Sequence, residues 1–371
     1  MNFLKKRFLE FDRTILLTVL TLIGVGIVLV YSSSFIFAIE SRNDGFFFFR
    51  KQLIFATIGI ATLFGVASVP FGLIRRFGFL SWIFFGILVC LTMIPGIGVR
   101  AGGAIRWMHL GGGIYFEPSE FLKVSLPLLM GYLIAKFDQS ENKLKTFVWS
   151  SLLFFPIPFL LKQPDFGSVA VCAFVIFALL FTFGMRWIWV IAGSAAASVS
   201  FYSLVMNVPY RKARIMAFMD PWAAIATGGY QVIQSLLSFY TGGLFGSGLG
   251  QGQGKLFFLP EAHTDFVFSV LGEETGFIGV FIVFCIYGFL MFKIFQMTAR
   301  LKDLKAQVMS MGLCLVFTVQ VLINLCVVFG LLPTKGLALP FLSYGGSSML
   351  ATCILFGLLI NIQRTYLPSN R

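Results

Sequence analysis

The chain has 371 residues, 58% hydrophobic and 12% charged, with a mean hydropathy of +0.91. A soluble domain with a single core has no place for so much apolar surface, so the composition excludes one and points to a polytopic membrane protein. The net charge of +13 does not indicate a nucleic-acid partner, because the 28 Lys and Arg are scattered through short connections and form no basic face.

A hydrocarbon layer about 30 Å thick needs roughly 20 apolar residues per helix. Ten segments qualify, at about 14–38, 52–69, 77–95, 119–137, 146–162, 166–184, 187–206, 265–295, 306–330 and 344–363. They predict an all-α polytopic membrane protein of about ten transmembrane helices, read as one membrane domain over 1–371. The basic start Lys5-Lys6-Arg7 precedes an apolar run too long for a signal-peptide core and without an Ala-x-Ala site, so that run is read as the first span. An even number of spans puts both termini on one side. Lys and Arg are modestly enriched on that side, which makes it cytoplasmic.

Most of the 15 Asp and Glu fall on the opposite, extracytoplasmic face, where the bases Arg106, Lys123, Arg211, Lys212, Arg214, Lys255 and Lys335 sit inside short motifs. The six cysteines all fall within predicted spans, so neither a disulfide framework nor metal-type pair spacing is expected. His109 and His263 have no second ligand at metal spacing beside them.

Three outer segments are longer than bundle connections need to be. The first, 96–118, is rich in glycine. The second, 207–264, is a large extracytoplasmic loop between helices 7 and 8. Its stretches 211–219 and 229–237 read as short helices, lying either in the membrane interface or over the mouth of the bundle. The third, 331–348, holds Pro333, Gly336 and Pro340, a poor helix and a candidate re-entrant wall. No internal repeat of the inverted-transporter kind is evident.

Ionisable groups near membrane depth are costly and persist when paired or when they line a wet cavity. Leu259-Pro260-Glu261-Ala262-His263-Thr264-Asp265-Phe266 concentrates them at the entry to an apolar segment. Thr264 or Asp265 has a plain reading as a helix N-cap, but capping does not account for Glu273 and Glu274 two turns inward. On a helical wheel Glu273 lies about 80° from Asp265 and can share its cavity, while Glu274 points away toward a neighbouring helix. Gly272 and Gly276 permit close approach or a kink. Pro118, Ser119 and Glu120 read as a helix start, and Lys123 pairs with Glu120 at i, i+3 or clamps a phosphate. Gln163-Pro164-Asp165 reads as a turn. Gln320 and Asn324 share one helix face and are expected to make interhelical hydrogen bonds. No GxxxxGK[ST], GxSxG or HExxH motif is present. An outward cavity with carboxylates, phosphate-holding bases and a lipid-facing mouth fits transfer from a lipid-linked phosphate donor without ATP.

Five runs carry a resemblance: Phe116-Glu117-Pro118-Ser119-Glu120-Phe121-Leu122-Lys123, Gln163-Pro164-Asp165-Phe166-Gly167, Gly229-Tyr230-Gln231-Val232-Ile233-Gln234-Ser235, the run 259–266, and Leu339-Pro340-Phe341-Leu342-Ser343-Tyr344-Gly345-Gly346-Ser347. In order and across nearly the whole chain, they resemble the SEDS family of shape, elongation, division and sporulation proteins. Leu332-Pro333-Thr334-Lys335-Gly336-Leu337 is closer to the division members than to the elongation members. Arg106-Trp107 matches the family, with a looser resemblance in the residues before it.

The resemblance implies a peptidoglycan glycosyltransferase of the inner membrane that polymerises lipid II beside a class B penicillin-binding protein and other divisome or elongasome proteins. It implies Asp265 as catalytic base, Arg106 and Lys123 on the pyrophosphate with Glu120 holding Lys123, and Arg211 and Arg214 as secondary contacts. Glu261 and His263 shape the site, and Asp165, Lys335 and Ser343 complete the substrate-binding set. A divalent cation, Mg or Mn, is left open as a companion of the pyrophosphate. A lipid II flippase and a scaffold for the crosslinking enzyme are the alternatives.

Overall fold

The structure is a computed structural model that describes residues 13–101, 104–109, 111, 115–139, 151–184, 187–188, 191–193, 195, 216–225, 229–254, 259–334 and 336–367. The helices are α1 (Arg13–Arg42), α2 (Phe47–Ser68), α3 (Phe71–Leu91), α4 (Pro118–Gln139), α5 (Ile157–Lys162), α6 (Phe166–Thr182), α7 (Gly229–Gly242), α8 (Val267–Ala299), α9 (Leu304–Val328) and α10 (Gly346–Tyr366). Six of them, α1, α2, α3, α8, α9 and α10, are long and apolar enough to cross a membrane. The sixth expected span corresponds to the shorter apolar α6, and the fifth is represented among the described residues by Ser151–Leu153 and α5. Most of the seventh, with Arg211, Arg214 and Lys335, lies outside the described residues. The number ten is therefore not established.

Helix α4 is long enough to cross but less apolar than the other long helices, and its surroundings give the reason. Every residue from Pro118 to Gly131 is buried, so α4 meets protein rather than lipid and need not be uniformly apolar. It packs on α3 and α9. Small residues set the second contact: a Cβ on Gly131 would come within 2.4 Å of Met309, and one on Gly312 within 2.7 Å of Pro127. Helix α10 lies along α2, and the Asn361 amide donates to the carbonyls of Val66 (2.8 Å) and Val69 (2.6 Å). It thereby gives the Val69 carbonyl just past α2 a donor and adds a second donor to Val66 O, which already accepts from Val69 N.

The glycine-rich segment after α3 adds a small antiparallel sheet to the all-α reading: β1 (Gly98–Ala101), β2 (Ala104–His109) and β3 (Tyr115–Phe116), with Gly98 opposite Met108 and His109 opposite Tyr115. A Cβ on Gly98 would sit 1.8 Å from the Thr92 carbonyl, so the strand starts where only glycine fits.

The segment expected to be a re-entrant wall is non-helical and buried. Leu337, Leu339, Phe341, Leu342 and Ser343 are all buried. The Tyr287 hydroxyl on α8 donates to Pro340 O at 2.5 Å, and Gly26 on α1 faces Phe341 O so closely that a Cβ would lie 2.1 Å from it. Irregular backbone at this depth is sheltered by protein on both sides. Of the two readings left open for 229–237, the structure supports packing over the bundle. Ser235 Oγ on α7 lies 2.7 Å from Ser269 Oγ on α8 and donates to Val328 O on α9 at 2.6 Å.

Candidate active site

Helix α8 begins at Val267, with Phe266 at the N-cap and no side-chain cap. Asp265 therefore stands in the turn before the helix, and the N-cap reading does not apply to it. The turn is closed by Thr264 N and Phe266 N donating to Glu261 O at 3.1 and 3.3 Å. Glu261 sits in the left-handed region, φ 57°, which costs a non-glycine residue roughly 1–3 kcal/mol.

Near Asp265 stands Arg106 of β2. A Cβ on Gly336 would lie 3.3 Å from Asp265 Oδ2 and 3.6 Å from Arg106 Nη1, so these side chains lie beside the same glycine. Arg106 is anchored from behind: its Nη2 donates to Pro164 O at 2.9 Å, and its Nη1 lies 3.9 Å from Asp165 Oδ1. Asp165 caps α6 by accepting from Ser168 N at 3.2 Å, so the turn reading is right and the same residue also orients a cation. Arg106 Nε, Asp165 Oδ2 and Asn324 Oδ1 are buried polar atoms with no hydrogen-bond partner among the described residues.

Deeper in α4, Lys123 Nζ donates to Glu120 Oε1 at 2.7 Å, and Gln320 on α9 donates to Glu120 Oε2 at 3.3 Å. The Lys123 side chain has no exposed surface, whereas that of Arg106 is 16% exposed. Arg106 is thus the cation that faces outward, and Lys123 acts as an internal charge among carboxylates. Glu117, which sequence reasoning left out of the site, joins this group. Burial first, then the Glu120 and Asp165 carboxylates, push its carboxyl up to about 8 against the opposing pull of Lys123 and Arg106. The signal for Glu117 was present in the sequence as a third acid beside Glu120 and Lys123.

The remaining predicted residues lie on the flanks. His263 stacks on Phe37 at 5.3 Å and packs against Phe48 at 5.0 Å and Tyr344 at 5.8 Å. Burial lowers its pKa, with Glu261 pulling the other way, so the ring is neutral at pH 7. Glu261 accepts from Thr264 Oγ1 at 2.8 Å on the exposed edge. Ser343 Oγ accepts from Leu339 N at 2.8 Å, closing the turn of the wall. Glu273 does not share a cavity with Asp265. Its carboxylate accepts from Gln253 N (2.7 Å) and Gly254 N (3.1 Å) in the loop after α7. Glu274 accepts from Ser32 Oγ on α1 at 2.5 Å, as its direction on the helix implied. Among the described residues no three His, Cys, Asp or Glu come together as a metal site.

A carboxylate near an outward-facing cation, backed by a buried ion pair, is an arrangement able to move a proton next to developing negative charge. Comparison with known proteins decides the family, because the model of cell cycle proteins that groups FtsW, RodA and SpoVE matches residues 13–366. The chain belongs to this family. It is 39% identical over 362 residues to a probable peptidoglycan glycosyltransferase FtsW of Trichlorobacter lovleyi, covering 96% of this chain and 94% of that one. It is 34% identical to the stage V sporulation protein E of Bacillus subtilis, covering 95% and 97%.

Among solved structures, a chain described under structural coordination of polymerization and crosslinking by a peptidoglycan synthase complex matches with a TM-score of 0.79 at 25% identity. That match covers 97% of this chain and all of the other. The rod shape determining protein RodA of Thermus thermophilus shares the fold, with a TM-score of 0.71 at 24% identity, 97% of this chain and 99% of that one. With its apolar helices, this family member is a multi-pass membrane protein.

Proposed function

We propose that this family member is a peptidoglycan glycosyltransferase that polymerises lipid II at the extracytoplasmic face of the cytoplasmic membrane, with both termini in the cytoplasm. The observation that carries the assignment is the placement of Asp265 and Arg106 beside the same residue, Gly336. The names of its relatives supply the reaction class. Asp265 accepts the proton of the acceptor GlcNAc 4-hydroxyl, whose oxygen attacks C1 of the donor MurNAc. The bond from C1 to undecaprenyl pyrophosphate breaks as the new bond forms. An α-linked donor gives a β-linked strand in one displacement, so no covalent intermediate is needed.

Arg106 meets the charge growing on the departing pyrophosphate. A preorganised donor of this kind contributes about 3–4 kcal/mol when it is aimed at the leaving charge. The fully buried Lys123 supports this role indirectly by compensating Glu120 and Asp165, which leaves the guanidinium free to face outward. Arg211, Arg214 and Lys335 are proposed as further phosphate contacts. The partner is a class B penicillin-binding protein within a divisome or elongasome assembly; the many relatives named FtsW favour division.

The test is reconstituted synthesis with that partner. The wild-type protein should extend labelled lipid II into glycan, and Asp265→Ala should reduce this below detection while the variant still melts and binds its partner normally. Full polymerisation by the variant would remove Asp265 from the role. A flippase would instead move lipid II across vesicles and make no glycan, and a scaffold would be indifferent to Asp265→Ala. A chelator arm of the same assay decides whether Mg or Mn accompanies the pyrophosphate.

A further inference from the structure

Two amides stand one turn apart on α9, and their donors reach the two halves of the site. Gln320 donates to Glu120 Oε2, whose other oxygen receives Lys123. Asn324 Nδ2 donates to the backbone carbonyl of Asp265 at 2.9 Å and to that of Leu337 at 2.7 Å. Both side chains are buried, Asn324 to 1% exposure. Because its two acceptors are carbonyls, the orientation of the Asn324 amide is fixed and both of its hydrogens are committed.

We infer that Gln320 and Asn324 are positioning residues that set the spacing between Asp265 and the Glu120–Lys123 pair. The inference rests on the glycosyltransferase reading. Amides within a membrane helix are often simple interhelical glue, but glue has no reason to end on these groups. One Asn324 bond holds the residue proposed as base. The other holds the residue next to Gly336, the glycine that Asp265 and Arg106 lie beside. One amide therefore ties the backbone of Asp265 to the backbone beside Gly336. About one turn away, roughly 6 Å along the same rigid helix, Gln320 holds the anion that neutralises Lys123. Helix α9 thus holds the backbone of Asp265 and Leu337 at a fixed distance from the buried Glu120–Lys123 pair, and a misplacement of about 1 Å passed on to the reacting centre costs about 100-fold in rate.

Asn324→Asp keeps the shape of the side chain and turns its two donors into an acceptor facing two carbonyls. With the partner present, and well below the melting temperature, this variant should lose at least about 10-fold in kcat while KM for lipid II stays within about 2-fold. Asn324→Ser, which retains one donor, should recover part of the loss and provides the measurement if the Asp variant does not fold. Gly336→Ala perturbs the same place, so combined with Asn324→Ser it should lose less than the product of the two separate effects. A kcat within about 2-fold of wild type for both Asn324 variants, or a multiplicative double variant, would return the amides to glue. A wild-type protein inactive in this assay sinks the glycosyltransferase reading and this one together; an active wild type with unaffected variants sinks only this one.

Discussion

Three carboxylates, Glu117, Glu120 and Asp165, lie among two cations, Lys123 and Arg106, and desolvation together with the two neighbouring carboxylates favours the protonated form of Glu117. Its carboxyl rises from an ordinary 4.5 to about 8, so the stability it contributes is complete below about pH 4.5 and drains away as pH climbs through about 8. Glu117→Gln mimics the neutral acid and carries no such dependence. Thermal melts of the two proteins in one detergent from pH 5 to 9 should show the wild type losing ground steadily to the variant and levelling off above about 8; parallel curves would contradict the proton assignment. Gly336 gives a second prediction. Its φ is compatible with L residues, so Ala should fold within about 0.5 kcal/mol of wild type, yet its methyl would press on Asp265 Oδ2 from 3.3 Å. Polymerisation should fall about 10-fold with an unchanged melting temperature.

Helix α8 shows how much an element depends on what is inserted into it. At Gly276 the backbone turns to φ 66°, ψ −167° and the helical ladder opens. The loop after α7 fills the opening: Ser247 N and Gly248 N donate to Glu273 O and Glu274 O, while Phe277 N and Ile278 N donate to Gly243 O and Leu244 O. These four groups around the kink find partners in the loop, which helps permit a break inside a long apolar helix. Gly276→Ala places an L residue at positive φ with its Cβ 2.4 Å from Gly246 N, so a loss of about 2 kcal/mol or more is expected in detergent unfolding. Glu273→Ala strands the loop N–H groups of Gln253 and Gly254 and should cost about 2–4 kcal/mol. The sequence offered Gly272 and Gly276 as places of close approach or a kink and Glu274 as a neighbour's partner. Gly276 is the kink, Gly272 the close approach to Phe239, and Glu274 bonds Ser32. The sequence misdirected Glu273 because Asp265 lies outside the helix, so an angle measured from it has no meaning, and because a wheel cannot show a loop folding back.

At the scale of the whole chain, hydropathy made the outer helices legible because their lipid-facing sides must be apolar whatever they pack against. It was less informative for α4, which protein surrounds, and it missed a sheet with strands as short as two residues set between glycines. The site was legible as separate motifs; their meeting was not, since β2, the turn at Asp165, Asp265 and Gly336 converge across more than 200 residues of sequence. Sidedness follows from the same reasoning and can be tested directly. If the loop-bearing end faces outward, Leu249, 62% exposed in the loop after α7, is on the extracytoplasmic side, and the exposed Lys302 between α8 and α9 is cytoplasmic. In a background with Cys285, an exposed native cysteine, replaced by Ser, a membrane-impermeant maleimide added to intact spheroplasts should label Leu249→Cys and spare Lys302→Cys until the membrane is permeabilised. The reverse pattern would put Asp265 on the cytoplasmic side, where a strand-polymerising site has no access to the wall, and would overturn the proposed topology and function together.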